Sequence, residues 1–132
     1  MTEFDYETEI DVRFRDLDSM GHVNNAVYAT FLEHARTLYM DDVFGDRPEE
    51  INVALVNLEI DFRRQVRFRE TVTVGVGVTE LGESSATMAY EVTTGDELAA
   101  TGETVLVAID AEGNSRPLPD AIREHIREFE DL

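Results

Sequence analysis

The most informative segment of the sequence is Asp16-Leu-Asp-Ser-Met-Gly-His-Val-Asn-Asn-Ala-Val-Tyr-Ala-Thr-Phe-Leu-Glu-His-Ala-Arg-Thr-Leu-Tyr-Met40. It begins as a polar loop that contains two carboxylates, a glycine, a histidine and two asparagines. From Tyr28 onward, apolar residues recur every three or four positions, at Phe31, Leu32, Ala35, Leu38 and Tyr39. This spacing places them on one face of a helix, and Asn24 is a favourable N-cap for it. The segment therefore predicts a polar loop followed directly by a long helix.

The junction between this loop and the helix is suited to catalysis. The first turn of a helix has backbone N–H groups without intrahelical acceptors, and it carries a partial positive charge. Here that positive end follows a loop that bears carboxylates. Such an arrangement can hold a developing oxyanion next to an acid or a base.

Alternating apolar residues predict five strands around the helix. The first strand carries Ile10, Val12 and Phe14, and the second carries Val56, Leu58, Ile60 and Phe62 on a half-buried face. The third and fourth have apolar residues at every second position of 72–78 and 86–92. A Gly95-Asp96 hairpin turn leads into a fifth strand from about Glu97 to Ile109, with a possible bulge at Gly102.

The helix ends and the connections then predict the fold. The long helix is expected to end near Val43 or Phe44, because Gly45 and Pro48 follow. Asp120 can cap a short final helix with Ile122, Ile126 and Phe129 on one side. The later connections are too short for parallel crossovers, so the sheet must be mostly antiparallel. We expect an α+β fold with one domain over residues 1–132. Its long central helix is wrapped by a five-stranded antiparallel sheet, the layout of a hot-dog fold.

Composition excludes several function classes. The chain has no cysteine, which rules out disulfides, thiolate metal sites and cysteine nucleophiles. No apolar run approaches the length of a membrane span, and the N-terminus lacks the basic region of a signal peptide. We therefore expect a soluble, cytoplasmic protein with no membrane partner.

The chain is also strongly acidic. It has 29 acidic residues against 11 basic ones, a net charge of −18, and every basic residue is arginine. Such a surface repels itself at low ionic strength, whereas molar salt shortens the screening length to about 3 Å. We interpret this bias as a sign of a salt-rich cytoplasm, such as that of a haloarchaeon, with an ordinary acidic protein as the alternative. Nucleic acid is not an expected partner.

The loop and the helix start resemble a known motif. The run Asp16-Leu-Asp18-Ser-Met-Gly21-His22-Val-Asn24-Asn25-Ala-Val-Tyr28 is similar to the D-x-D-x-x-G-H-V-N-N-x-x-Y segment of hot-dog thioesterases. It resembles most the 4-hydroxybenzoyl-CoA thioesterase-like group, with plant acyl-carrier-protein thioesterases as more distant relatives. The element order of nearly the whole chain agrees with that family.

This resemblance implies roles for the loop residues. The catalytic carboxylate of the family matches Asp18, which would act as nucleophile or as general base for water. The backbone N–H that polarises the thioester oxygen falls at Asn25. Gly21 would allow close approach of the substrate, and His22 would position water or substrate. In the alternative, structural interpretation, Asp18 caps a turn, Gly21 is an ordinary turn glycine and His22 orders the loop. Asp16 is expected to satisfy loop amides.

Two positions depart from the plant enzymes. Met20 stands where those enzymes have an asparagine, and Gln65 stands where they have a glutamate. The plant-type network is therefore incomplete in this chain. His34 and His125 are far apart in sequence and have no ligand spacing, so no metal site is expected.

Four arginines follow the second predicted strand. Arg63, Arg64, Arg67 and Arg69 lie within seven residues that contain no acid. We assign them to the diphosphate and ribose phosphate of coenzyme A, because the planar guanidinium group suits phosphate oxygens. The alternative is that they pair with a second subunit or with Glu59, Asp61 and Glu70.

The sequence thus predicts an acyl-CoA thioesterase that needs no cofactor, with coenzyme A entering as part of the substrate. The resemblance implies a homodimer or homotetramer with sites at subunit interfaces. Two alternatives stay open: a thioesterase acting on acyl-carrier-protein, and a non-catalytic acyl-CoA or fatty-acid binding module. The acyl group is not predicted, because candidate pocket walls such as Val27, Phe31 and Val56 could equally belong to the core.

Overall fold

The computed structural model describes residues 3–44 and 51–132. In chain order its elements are β1 (Glu7–Asp11), a short 3-10 helix (Phe14–Asp16), α1 (Asn25–Val43), β2 (Asn52–Phe62), β3 (Thr71–Leu81), β4 (Ser85–Thr94), β5 (Glu97–Ile109) and α2 (Asp120–Glu130). The five strands form an antiparallel sheet in the order β1-β3-β4-β5-β2. The predicted α+β fold, with its long helix, five-stranded antiparallel sheet and short C-terminal helix, is therefore confirmed.

The helix α1 lies on the apolar face of the sheet. Its buried side chains are Tyr28, Phe31, Leu32, Ala35, Tyr39 and Val43, and they share one core with the buried valines of β3 and with Met88 and Tyr90 of β4. The predicted apolar face is thus confirmed, except that Leu38 is only partly buried. The helix ends at Val43 as expected, while Gly45 and Pro48 lie outside the described residues.

The central strands bury the predicted apolar positions, and β3 also buries Gly75 and Gly77 between them. The apolar positions of 72–78 and 86–92 are buried, because both strands have α1 on the same face. A two-residue turn joins β4 to β5, and its Gly95 has a φ of +59°, which glycine adopts without steric cost. These hairpins place the core of the protein between α1 and the three middle strands.

The predicted bulge at Gly102 is wrong. Gly102 is paired regularly with Ile60 and with Tyr90, and the irregularity between β4 and β5 lies instead after Val92. A Cβ atom at Gly102 would stand 2.7 Å from Leu32 Cδ1. The Leu32 side chain of α1 therefore packs directly on Gly102, and a side chain at this position would displace it.

Three further features differ from the prediction: the end of β1, the burial of β2 and the N-cap of α2. The first strand ends at Asp11, and Phe14 begins the 3-10 helix with 75% of its surface exposed. In β2, the residues Val56, Leu58 and Phe62 are exposed, because this strand forms an edge of the sheet and has a bulge after Leu55. In α2, Asp120 is the first helical residue, and Pro119 occupies the N-cap.

Candidate active site

The loop before α1 is closed by its own backbone. Leu17 and Val23 pair as an antiparallel bridge, and the Asp18 N–H donates to the His22 carbonyl at 2.7 Å. The Gly21 N–H donates to the Asp18 carbonyl at 3.2 Å, and Gly21 has a φ of +83°. Because L side chains rarely adopt this conformation, the turn itself requires glycine at position 21. The structural interpretation of Gly21 therefore has direct support.

The Asp18 side chain helps to order this loop. Its Oδ1 atom accepts hydrogen bonds from the Met20 N–H at 2.8 Å and the His22 N–H at 3.2 Å. Asp18 is nevertheless exposed, and within the described residues its Oδ2 atom has no hydrogen-bond donor. The two amides hold the carboxylate in place and leave one oxygen for another partner. Turn capping and chemistry are compatible at Asp18.

The start of α1 presents a free backbone donor. Asn24 is the N-cap, as predicted, and its side chain accepts a hydrogen bond from the Ala26 N–H at 2.9 Å. The Val27 N–H donates to the Asn24 carbonyl at 2.8 Å. In the part of the chain that the structure describes, the N–H of Asn25 has no acceptor. This amide is one of the unpaired donors that give a helix N-terminus its affinity for negative charge.

A cavity of about 350 Å³ brings these groups together. Its walls are formed by Asp18, His22, Val23, Asn25, Tyr28, Phe62, Arg63, Arg64 and Gln65. Five of the eight residues predicted from the sequence are therefore in one place, whereas Gly21, Arg67 and Arg69 are not part of the wall. The His22 side chain is partly buried, and its backbone, rather than its ring, makes the hydrogen bonds that close the loop.

Four residues of the cavity wall were not predicted as such: Val23, Tyr28, Phe62 and Gln65. Tyr28 and Phe62 contact edge to face, with ring centroids 5.1 Å apart, and burial raises the pKa of Tyr28. Gln65 lies in the cavity wall, as its alignment with the plant glutamate would suggest, while Met20 is 76% exposed and outside it. The motif gave no signal for Phe62, because only the fold brings the end of β2 to this cavity.

The apolar walls suggested from sequence are not found here. Phe31 is a core residue, Val27 is partly buried and Val56 is exposed on β2, and none of them lines the cavity of Asp18. The apolar surface of this cavity comes from Val23, Tyr28 and Phe62 instead.

The four clustered arginines have different surroundings. Arg64 lines the cavity, but its guanidinium group lies 3.4 Å from Glu70 and 3.3 Å from Glu97. The charge of Arg64 is thus partly neutralised. Its pairing with Glu70 agrees with the alternative interpretation, in which these arginines pair with nearby acidic residues. Arg63 is exposed in the cavity wall, and Arg67 and Arg69 are exposed outside it. Of these four, only Arg64 forms a salt bridge within residues 3–44 and 51–132.

Asp16 has the structural role expected of it. It is 2% exposed, and its carboxylate accepts hydrogen bonds from the Arg13 backbone N–H at 2.8 Å and from the Arg13 guanidinium at 3.0 Å. Burial alone would raise the pKa of Asp16, but these bonds and the Arg13 charge outweigh it and hold that pKa below its ordinary value. Asp16 therefore fixes the start of the loop.

Two other kinds of site are not seen in the described residues. In the ranges 3–44 and 51–132, no three His, Asp or Glu side chains are grouped so that they could hold a metal ion. Neither α1 nor α2 combines the length and the apolar character that a bilayer-spanning helix requires.

Comparison with known proteins relates this chain to thioesterases. A thioesterase from Thermus thermophilus, solved in complex with coenzyme A and Zn, is 42% identical, and the structures match over 100% of this chain and 98% of that chain with a TM-score of 0.90. The long-chain acyl-CoA thioesterase FadM of Escherichia coli is 33% identical over 90 residues, which span 66% of this chain and 68% of FadM. The chloroplastic acyl-acyl carrier protein thioesterase ATL2 of Arabidopsis thaliana is 47% identical over 67 residues, but these span only 47% of this chain and 35% of ATL2.

The family match covers the elements that build the cavity. It extends over residues 12–126 and so includes the loop of Asp18, the start of α1 and the segment that carries Arg63 and Gln65. The chain belongs to the thioesterase-like superfamily.

Proposed function

We propose that the protein hydrolyses acyl-CoA thioesters to a carboxylic acid and free coenzyme A. The observation that carries this proposal is that one cavity is lined both by Asp18, whose carboxylate is exposed, and by Asn25, whose N–H has no acceptor among the described residues. Hydrolysis of a thioester needs a group that attacks the carbonyl carbon, or a base that activates water to do so. It also needs a hydrogen-bond donor aimed at the carbonyl oxygen, on which negative charge develops.

The reaction follows from these two groups. Either the Asp18 carboxylate attacks the thioester carbon, or it removes a proton from a water molecule that attacks it. The carbonyl oxygen then carries negative charge, which the Asn25 N–H and the positive end of α1 stabilise. The carbon–sulfur bond breaks, and the thiolate of coenzyme A leaves and takes up a proton. On the general-base route the acid is released directly; on the nucleophilic route the acyl group stays on Asp18 as an anhydride, which water then hydrolyses to the acid and the free carboxylate. His22 positions the thioester or the water. Water is the second reactant, and the reaction requires no cofactor.

The relatives support a coenzyme A thioester as the substrate. The Thermus thioesterase was solved with coenzyme A, and FadM is named for long-chain acyl-CoA. Arg63 in the cavity wall, with Arg67 and Arg69 nearby in the chain, would bind the phosphates of the coenzyme. Membership of the 4-hydroxybenzoyl-CoA thioesterase-like group is part of the same proposal.

A carrier-protein thioester is the second candidate. The similarity to ATL2 favours it, as does His22 with Asn24 and Asn25, whereas Gln65 stands in place of the plant glutamate and counts against it. The exposed Met20 and the net charge of −18 count against it, because an acidic carrier protein would be repelled outside high salt. A non-catalytic acyl-CoA binding module is the remaining alternative.

The functional unit in this proposal is a homodimer or homotetramer that pairs through β2. The two edges of the sheet differ: β1 exposes Glu7, Glu9 and Asp11, whereas β2 exposes the apolar residues Leu55, Val56, Leu58 and Phe62 beside Glu59 and Asp61. Charged edges resist pairing, while an apolar edge strand is a template for another strand. Since Phe62 also lines the cavity, a second copy on β2 would complete the site.

The proposed setting is the cytoplasm of an organism that accumulates salt. The support is compositional: 29 acidic residues, 11 arginines and no lysine in a chain of 132 residues, which we treat as one domain. At molar salt the repulsion between exposed carboxylates is screened over about 3 Å.

Release of free thiol tests the proposed activity directly. Short-chain, long-chain and aromatic acyl-CoA substrates are compared in high potassium chloride with wild type and Asp18→Asn. The variant should lose about 10²- to 10⁴-fold in kcat while still binding acyl-CoA, because the amide keeps the loop hydrogen bonds but cannot act as base or nucleophile.

A matched control is available in the turn after β5. Asp110 Oδ1 accepts bonds from the N–H groups of Glu112 at 3.0 Å and Asn114 at 2.9 Å, so Asp110→Asn makes the same chemical change in a loop outside the cavity. Asp110→Asn should keep full activity. Tight acyl-CoA binding without any hydrolysis by wild type would support the binding-module alternative instead.

A further inference from the structure

An exposed aromatic pair lies beside the loop of Asp18. Phe14 and Phe68 contact edge to face, with ring centroids 5.9 Å apart and planes at 83°. Phe14 is 75% exposed and Phe68 is 43% exposed. Two adjacent aromatic side chains left in water on an acidic surface form an apolar patch of the kind that marks a binding surface.

Phe68 belongs to a turn with unusual backbone geometry. The Glu70 N–H donates to the Arg67 carbonyl at 3.2 Å, and Arg69, at the third position of this turn, has a φ of +72°. Glycine or asparagine is preferred at such a position. An arginine kept there in a strained conformation suggests that its side chain is used. Its guanidinium carbon lies 5.7 Å from the centroid of the Phe68 ring, in cation–π contact.

Within the described residues, no salt bridge neutralises the two arginines of this turn. Arg67 and Arg69 are exposed, and no carboxylate of the described residues lies within salt-bridge distance of either. In a protein with 29 acidic residues, two unpaired arginines next to an aromatic pair make a local positive surface. This surface suits a ligand that has both a planar aromatic part and anionic groups.

The turn is attached to the active-site loop. Arg67 and His22 pair as an antiparallel bridge, and the Val23 N–H donates to the Val66 carbonyl at 2.7 Å. The turn that carries Phe68 and Arg69 therefore lies directly against the loop that carries Asp18.

We propose that this surface binds the nucleotide end of coenzyme A, with adenine stacked on Phe14 and the phosphates held by Arg67 and Arg69. The inference rests on the proposed acyl-CoA hydrolysis, and it assigns the selection of coenzyme A thioesters to this surface. Because Arg69 lies over Phe68, Phe14 is the ring with the more open face. A base stacks on an aromatic face, and guanidinium groups bind phosphate oxygens, so the surface matches both parts of the nucleotide.

The test compares acyl-CoA with acyl-pantetheine carrying the same acyl group, since acyl-pantetheine has the thioester but no nucleotide. For wild type, the KM for acyl-CoA should be at least tenfold lower. Phe14→Ala should raise the KM for acyl-CoA by about tenfold, the size expected for one lost stacking contact, with kcat and the KM for acyl-pantetheine unchanged. Arg127→Ala, which removes an exposed arginine from α2, is the control and should change neither KM.

Arg69→Gly separates binding from folding. Glycine relieves the strained backbone, so the unfolding midpoint should rise while the KM for acyl-CoA also rises. A lower midpoint, or an unchanged KM for acyl-CoA, overturns the role of Arg69.

The remaining outcomes are equally distinct. Equal KM values of wild type for the two substrates, or an equal rise for both in Phe14→Ala, overturn the nucleotide site while acyl-CoA hydrolysis stands. If the rise occurs only with acyl-carrier-protein, the surface binds that protein and our inference is wrong. If no thioester is hydrolysed, the proposed function fails, but calorimetry that compares free coenzyme A with pantetheine still tests the nucleotide site. Tighter binding of coenzyme A that is lost in Phe14→Ala supports the site. Equal binding of the two ligands by wild type overturns it.

Discussion

The Tyr39 hydroxyl group donates a 2.6 Å hydrogen bond to the carboxylate of Glu130. The same carboxylate oxygen accepts a 2.9 Å bond from the Val78 N–H. Tyr39 is a buried residue of α1 and Val78 is a buried residue of β3, so this one carboxylate ties the C-terminal helix to both layers of the fold. Without it, a buried hydroxyl and a backbone amide would lose their acceptor.

Glu130→Ala should therefore destabilise the protein. An unsatisfied buried polar group costs about 1–3 kcal/mol, so we expect the free energy of unfolding to fall by about 2–4 kcal/mol in denaturant titrations. Glu128→Ala, at an exposed position of the same helix, should change it by less than about 0.5 kcal/mol. Similar losses for both variants would mean that helix propensity, and not the bond to Tyr39, explains the effect.

The same pair makes stability sensitive to alkaline pH. Burial, followed by the bond to Glu130, holds the pKa of Tyr39 above its ordinary value of 10. The unfolded chain loses this proton near pH 10 and the folded chain keeps it, so the stabilisation is complete below pH 10 and is lost as the pH rises above it. Tyr39→Phe should be less stable at neutral pH but lose less stability between about pH 9 and about pH 11. Burial raises the pKa of Tyr6 to about 12, and Tyr6 is present in both proteins, so the difference in their pH profiles reports Tyr39.

The Asn25 amide can be tested with a change to the backbone itself. Asn25 is the first residue of α1, and proline is tolerated at that position because its missing N–H has no helical acceptor. Asn24 has φ −60° and ψ 136°, a conformation that a following proline favours. Asn25→Pro should thus fold with wild-type stability, while kcat for thioester hydrolysis falls about 10²- to 10³-fold.

Asn25→Ala is the control for this variant, since it removes the side chain and keeps the amide. It should retain most of the wild-type kcat. If proline and alanine reduce kcat equally, the side chain matters and the backbone donor does not; if proline leaves kcat intact, the oxyanion is stabilised elsewhere.

Sequence periodicity predicted the burial correctly for strands that have one face covered by another element of the same chain. Val72 to Val78 and Ala86 to Val92 alternate because α1 covers one side of these strands. The same alternation in β2 misled the prediction, since Val56 and Leu58 face solvent at a sheet edge. A pattern records that a face is apolar, but it does not record which surface covers it.

The candidate site was predictable as far as it is local. Asp18, His22 and Asn25 are close in sequence, so one loop and one helix start bring them together. Tyr28 and Phe62 meet only because β2 ends next to α1, and this depends on the order of strands in the sheet. Gly102 shows the same limit. A side chain there would collide with Leu32 of α1, and this contact between distant parts of the chain cannot be predicted from the local sequence of a strand.

Pairing through β2 gives a prediction about assembly. Leu58 is 41% exposed on this edge strand, and a carboxylate there would be buried against a second copy. Leu58→Asp should therefore convert a dimer into monomers, or a tetramer into dimers, in sedimentation velocity experiments, and it should lower activity because the cavity would lose its second wall. Leu132→Asp, at another exposed apolar residue, should leave assembly unchanged. A wild-type monomer would exclude this interface.

Salt should stabilise the protein through its own charge. Glu7 and Glu9 are exposed on β1 at alternate positions, so their carboxylates lie on the same face of the strand, and the whole chain carries a net charge of −18. Raising potassium chloride from about 0.1 M to about 1 M shortens the screening length from about 10 Å to about 3 Å, which removes most of this repulsion. The unfolding midpoint of wild type should rise over that range. The double variant Glu7→Gln, Glu9→Gln should start higher at low salt and rise less, because part of the repulsion is already gone. A midpoint that stays flat or falls with salt in wild type would contradict adaptation to a salt-rich cytoplasm.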